Sequence, residues 1–93
     1  MLWAVPGEER TLIEYEDRVL DRVPANNGEV LSRVRTLTDE PLEGEPLEIH
    51  LLRFPSQQAL DAYMSDPQRT ELAPLRERSI SRTQVLQVEE VSR

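Results

Sequence analysis

The order of strand-like and helix-like segments constrains the fold of this 93-residue chain more than any other feature. A short apolar run at residues 2–5, closed by a Pro-Gly pair, predicts a first strand. Apolar residues then recur at helical spacing from Leu12 to Val23, and Pro24 is expected to end this helix. An alternating stretch without breakers, residues 29–38, predicts a second strand.

The second half of the chain repeats this order after an acidic loop. Residues 39–46 hold two prolines, a glycine and four acids, which indicates an exposed loop. Residues 47–54 predict a third strand, and Ser56 is placed to cap a second helix. Asp66, directly before a proline, indicates a fresh helix start. Residues 83–91 predict a fourth strand.

The resulting βαββαβ order predicts one α+β domain over residues 1–93. With right-handed crossovers it gives the ferredoxin-like arrangement, a four-stranded antiparallel sheet with two helices on one face. The other face of such a sheet is left for water, a ligand or another chain. Only 38% of the residues are apolar, and a domain of this size has a thin core. A homodimer would supply the missing burial.

Composition narrows the classes of function. The chain has no cysteine, which excludes disulfides and thiolate sites and favours a cytoplasmic location. We expect no membrane partner, because the apolar runs are short and the first residues lack the pattern of a signal peptide. The net charge is −7, and all 11 cationic residues are arginine. An acidic chain without a basic cluster is not expected to bind nucleic acid.

Three segments carry a resemblance to a known family. They read YEDRVL at 15–20, GEVL at 28–31 and LRFPSQQALDAYMSDP at 52–67. Together they resemble a bacterial family of unknown function in the dimeric α/β-barrel superfamily, beside antibiotic-biosynthesis-monooxygenase-like and stress-responsive barrel proteins. The resemblance implies that two sheets pack through their uncovered faces into a barrel-like dimer. It also suggests a cofactor-independent monooxygenase, isomerase or cyclase, although no catalytic residue of the superfamily can be matched here.

Alternation along the second and third strands predicts a polar cluster. If Val30 and Val34 join the apolar side chains of the third strand beneath the helices, the polar positions fall on the uncovered face. Two guanidinium groups there would bind a carboxylate or phenolate, and the single histidine would move a proton. Structural ion pairs are the alternative interpretation of the same residues. The candidate ligand-binding residues on the uncovered face are Arg33, Arg35, Glu48, His50 and, on the first strand, Trp3.

These observations leave three hypotheses open. The first is a binding module that holds a small anionic or aromatic molecule between the two sheets, with Trp3 either stacking on it or packing in the core or in an interface. The second is the cofactor-independent enzyme, and the third is a structural or regulatory homodimer without a ligand. One histidine and no cysteine do not suggest a metal site, and no phosphate loop or other cofactor motif is present. We therefore expect neither a metal nor a cofactor.

Overall fold

The computed structural model describes residues 1–37 and 44–89, and these form an α+β fold with a four-stranded antiparallel sheet. The strands lie in the order β2-β3-β1-β4, which is compatible with the ferredoxin-like arrangement. The predicted loop at 39–46 falls largely outside the described residues. The strands are β1 (Leu2–Ala4), β2 (Glu29–Arg35), β3 (Glu48–Arg53) and β4 (Ile80–Thr83).

Each crossover contains more than one helical segment. The sequence predicted a single helix in the first crossover, and in the second it indicated a fresh helix start at Asp66, which the structure confirms. The described part of the chain contains α1 (Glu9–Val19), α2 (Arg22–Ala25), α3 (Gln57–Met64), α4 (Pro67–Thr70) and α5 (Ala73–Ser79). Prolines explain the divisions. Three of the four later segments carry a proline in their first turn, where its missing N–H costs no helical hydrogen bond.

Two predicted helix caps are confirmed. The Ser56 hydroxyl accepts a hydrogen bond from the Ala59 backbone N–H at 3.1 Å, and the Asp66 carboxylate accepts one from that of Gln68 at 2.8 Å. Pro24 does not end the first helix as expected. That helix already ends at Val19, and Pro24 lies inside the short α2.

The fourth strand is shorter and earlier than predicted. It begins at Ile80, and its ladder with β1 closes at two backbone hydrogen bonds between Met1 and Gln84. Residues 84–89 were expected to continue the strand, but they have no strand assignment in the structure. The last predicted residues, 90 and 91, lie outside the described residues.

The helices cover one face of the sheet. One apolar cluster joins Tyr15, Val23 and Tyr63 of the helices to Leu52 of β3, and a smaller one joins Leu2 of β1 to the helices. The sheet residues in these clusters therefore define the helix-covered face. We call the opposite side of the sheet the open face.

The pairing of β2 with β3 fixes which side chains share a face. Arg33 lies opposite His50 and Arg35 opposite Glu48, whereas Val34 lies opposite Ile49 on the other side of the hairpin. A bulge between Val30 and Ser32 shifts the alternation by one residue. Val30, which the sequence analysis grouped with Val34, therefore lies opposite Leu52 on the helix-covered face.

Candidate functional site

The predicted grouping of Arg33, Arg35, Glu48 and His50 is present, but the predicted face is wrong. The cluster lies on the helix-covered face, beneath α1, and not on the open face. Glu48 is fully buried at its centre. The fifth candidate, Trp3, lies on β1 opposite Arg82 of β4, on the open face and apart from the cluster.

Glu48 holds the cluster together because three cationic or polar side chains donate to its two oxygens. The Arg33 Nε–H donates to Oε1 at 2.7 Å, and the Arg35 Nε–H donates to Oε2 at 2.8 Å. The His50 Nε2 lies 2.8 Å from Oε1. Burial raises the pKa of Glu48, but these hydrogen bonds outweigh it and hold the pKa at about 2.

Arg33 extends the cluster from the sheet to the helix above it. One of its terminal nitrogens donates to the Asp17 carboxylate at 2.6 Å, and the other donates to the Ile13 backbone carbonyl at 3.3 Å. Both acceptors belong to α1. The N–H groups of the guanidinium thus donate to acceptors within the protomer, and these hydrogen bonds connect α1 to β2 and β3.

His50 lies between two carboxylates. Because Glu48 is ionised and can only accept, the ring nitrogen Nε2 carries the hydrogen of that bond. The other nitrogen, Nδ1, faces the Glu16 carboxylate at 3.8 Å. Burial raises the pKa of Glu16 to about 7; His50 opposes this rise, and the Glu48 charge adds to it. The Glu16 carboxyl is therefore partly protonated near neutral pH.

Helix α1 explains why the polar cluster lies on the helix-covered face and not on the open face. Arginine and histidine side chains can lie beneath α1 because that helix offers Glu16, Asp17 and a backbone carbonyl as partners. Buried charges are tolerated when they are paired and hydrogen-bonded. The alternation of apolar residues favoured the apolar side of the hairpin beneath the helices, but the polar partners that α1 carries reverse this arrangement.

Glu16 and Asp17 are the members of the cluster that sequence reasoning missed. The signal for Glu16 was present, because it lies four residues after Leu12 and three before Val19 on the inward-facing stripe of α1. A carboxylate on that stripe indicates that the helix faces a polar group of the sheet.

The open face carries aliphatic side chains where the polar cluster was expected. Val34, Ile49 and Leu51 expose 51%, 44% and 41% of their surface. Ser32 lies opposite Leu51, so the central positions of β2 and β3 on this face hold no carboxylate. An aliphatic strip on an uncovered sheet face is typical of a surface that another chain or a ligand covers.

Trp3 and Arg82 form the polar end of the open face. The Arg82 guanidinium carbon lies 4.4 Å from the centre of the Trp3 ring, in cation–π geometry. The indole Nε1–H donates to the Gly44 carbonyl at 3.3 Å. Trp3 is partly exposed, so core packing does not describe its position, and stacking on a ligand or packing in an interface stay open.

Other candidate sites in the described residues are weak. Two surface depressions, of about 310 and 370 Å³, lie beside α2–α3 and α4–α5, and neither includes a member of the cluster. Within residues 1–37 and 44–89 no group of three or more histidine, aspartate or glutamate side chains is arranged to hold a metal. The helices in these ranges are too short or too polar to cross a membrane.

Comparison of the chain with protein-family models, with characterised proteins and with solved structures found no match.

Proposed function

We propose that the protein functions as a homodimer in which two copies pair through their open faces. The observation that carries this proposal is the aliphatic strip of Val34, Ile49 and Leu51, on a face that no helix or strand within residues 1–37 and 44–89 covers. The proposal agrees with the resemblance to dimeric α/β-barrel proteins. It also includes a cytoplasmic location, which the absence of cysteine favours.

The distribution of charge supports pairing through this face in particular. Each copy has a net charge of −7, so most surfaces of two copies repel one another. The central open-face positions hold no carboxylate, and the cationic Arg82 lies at one end. Two copies can therefore approach through this face without bringing carboxylates of its central positions together.

The test compares two equally exposed apolar residues on different surfaces. Val34 on the open face and Met64 on α3 each expose 51% of their surface. We expect wild-type protein and Met64→Glu to sediment as dimers at micromolar concentration and Val34→Glu to sediment as a monomer. A carboxylate in a desolvated interface lacks a partner, whereas one on the solvent side of a helix does not.

Two results would overturn the dimer proposal. One is a wild-type protein that sediments as a monomer at concentrations up to about 100 µM, which would correspond to binding weaker than about −5.5 kcal/mol. The other is a Val34→Glu variant that keeps the wild-type mass while circular dichroism shows it to be folded. The substitution is compatible with the protomer, because half of the Val34 surface is already in solvent.

A second function is favoured by Trp3 and Arg82 together. An indole ring beside a guanidinium presents a flat apolar surface and a cation, which suits a small aromatic anion between the two sheets. The arginines first considered for this role, Arg33 and Arg35, are already bound to Glu48 beneath α1. The ligand hypothesis therefore rests on the open face and no longer on the polar cluster.

Intrinsic fluorescence tests this second function directly, because Trp3 is the only tryptophan in the chain. Titration with benzoate and salicylate is expected to change the emission of the wild-type protein in a saturable way. Cyclohexanecarboxylate should act more weakly, and Arg82→Gln should weaken the response to both aromatic anions. An unchanged emission, or an equal response of Arg82→Gln, would leave the dimer without this site.

A further inference from the structure

We infer that residues 84–89, which we call the arm, leave their own protomer and pack across the open face of a second copy. The inference rests on the proposed homodimer and names the segment that completes its interface. Among the described residues, nine large apolar side chains are exposed. Three lie on the open face, and three more lie in the arm: Val85, Leu86 and Val88.

The arm has the composition of a strand, but among the described residues only its first member, Gln84, has backbone hydrogen bonds to a neighbouring strand segment. Its sequence, QVLQVE, is rich in β-branched and aliphatic residues, and the sequence analysis predicted a strand there. Val85, Leu86 and Val88 nevertheless expose 77%, 62% and 69% of their surface. An aliphatic segment with this exposure is typical of one that becomes covered on association.

The arm cannot readily turn back onto its own open face. The chain between Thr83 and Glu89 contains no glycine, proline, asparagine or aspartate, the residues that tight reversals use. It follows the last hydrogen-bonded pair of the β1–β4 ladder, Met1 and Gln84. A chain that goes on from this pair without a reversal would carry the aliphatic side chains beyond the sheet of its own protomer, toward a neighbouring molecule.

The amount of apolar surface also points to a second copy. A stable interface buries about 800 Å² on each partner. Val34, Ile49 and Leu51 expose about half of their surface or less, and they supply only a small part of that area. The arm doubles the number of exposed aliphatic side chains that the interface can bury. In a symmetric dimer each arm meets the other protomer's open face, so both contributions count twice.

The absence of native cysteine allows a direct cross-linking test in the full-length chain. One preparation carries Val88→Cys, and a second carries Val34→Cys, Ile49→Cys or Leu51→Cys. After mixing and mild oxidation, we expect a disulfide-linked heterodimer with at least one of the three open-face variants. Met64→Cys, which is as exposed as Val34 but lies on α3, should not form it.

Polar substitution gives an independent readout. We expect Val85→Ser combined with Val88→Ser to raise the dimer Kd at least tenfold, without loss of protomer structure, because both side chains are largely in solvent. The control, Met64→Ser, should leave the Kd unchanged. Circular dichroism of each variant separates loss of folding from loss of association.

The outcomes separate this inference from the dimer proposal. The arm inference is wrong, and the dimer proposal stands, if three results occur together. Val34→Glu abolishes the dimer, the Val85→Ser, Val88→Ser variant keeps the wild-type Kd, and Val88→Cys forms no disulfide with any open-face cysteine. If a chain carrying both cysteines cross-links only within itself at high dilution, the arm covers its own open face, and the inference is also wrong. A monomeric wild type overturns both.

Discussion

At the scale of single residues, Glu48 explains why a polar hairpin face can lie beneath a helix. Its carboxylate is fully buried, yet both oxygens are occupied by donors from Arg33, Arg35 and His50. The two guanidinium groups are themselves partly exposed, at 23% and 43% of the side chain. The cluster therefore buries the anion and leaves part of the cationic groups hydrated, which limits the cost of desolvation.

Replacement of Glu48 should be among the most destabilising changes in the chain. We expect Glu48→Ala to lower the free energy of unfolding by about 3 kcal/mol, because it leaves partly buried cations without their partner. Glu14→Ala, which removes one half of the exposed Glu14–Arg18 pair on α1, should change it by less than about 0.5 kcal/mol. Urea denaturation at pH 7 measures both. Equal effects of the two substitutions would show that the cluster contributes no more than a surface ion pair.

Glu16 should make stability fall as the pH rises toward neutrality. Its pKa is about 7 in the folded protein, compared with an ordinary value of 4.5, so between these values the folded state binds more protons than the unfolded state. The stabilising contribution is present below pH 4.5 and is lost as the pH rises through about 7. The groups that act most strongly on this carboxyl are Glu48, Arg33 and His50 on the sheet and Arg69 on α4. It also interacts with the Met1 amino group and with Tyr15 and Tyr63.

Glu16→Gln isolates this contribution. Urea denaturation at pH 5 and pH 8 should show the variant gaining stability relative to wild type at the higher pH, because the wild type must bury a charge there and the variant does not. Glu14→Gln, on the solvent side of the same helix, should keep a constant difference from wild type. A constant difference for Glu16→Gln as well would contradict the raised pKa.

The sequence predicts which residues form the polar cluster, but not which face of the sheet the cluster occupies. Alternation placed Arg33, Arg35, Glu48 and His50 on one face, and the observed register of β2 and β3 agrees. Alternation does not say which face the helices cover, because both faces of the hairpin offer aliphatic side chains. The decision came from partners on another element, Glu16 and Asp17 of α1, which only tertiary packing brings into contact.

At the scale of elements, some boundaries follow from the local sequence and others depend on tertiary contacts. Caps and prolines are local, so Ser56 and Asp66 were predicted correctly. The end of β4 was predicted wrongly, because a strand needs a hydrogen-bonded neighbour as well as a suitable sequence pattern. The arm at 84–89 has the pattern, and the β1–β4 ladder stops at Gln84. A missing neighbour thus explains why the fourth strand ends earlier than its sequence indicates.

The two confirmed caps should differ in importance. Ser56→Ala should cost about 1 kcal/mol, the usual effect of removing an N-cap. Asp66→Ala should lower the melting temperature further, because the same carboxylate also accepts hydrogen bonds from Arg22 at 3.0 Å and from Asn26 at 2.9 Å. Those bonds tie α2 to the start of α4. Thermal unfolding of both variants checks the order, and a larger loss for Ser56→Ala would contradict the tie between the two helices.

At the scale of the whole molecule, the protomer is a flat body in which helices cover one face of the sheet and leave the open face uncovered. Its principal extents are 39 × 36 × 16 Å, so a large part of its surface is sheet or helix face. The polar cluster fastens α1 to one side of the sheet, the aliphatic strip is exposed on the other side, and the arm is exposed as well. Folding then depends on the polar side of the β2–β3 hairpin and association on its aliphatic side. Substitution in the aliphatic strip should therefore leave the polar cluster intact, and the reverse.

This division makes thermal stability depend on protein concentration. If folded protomers pair, mass action raises the melting temperature with concentration, and a tenfold increase corresponds to about 1.4 kcal/mol of dimer. For two chains of 93 residues, that is a rise of roughly 3–5 °C in the wild type and in Met64→Glu. Val34→Glu should unfold at one temperature at every concentration, because its protomers do not associate. Calorimetry over 10–1,000 µM measures the dependence, and a wild-type melting temperature that does not move with concentration would mean that the open face stays uncovered.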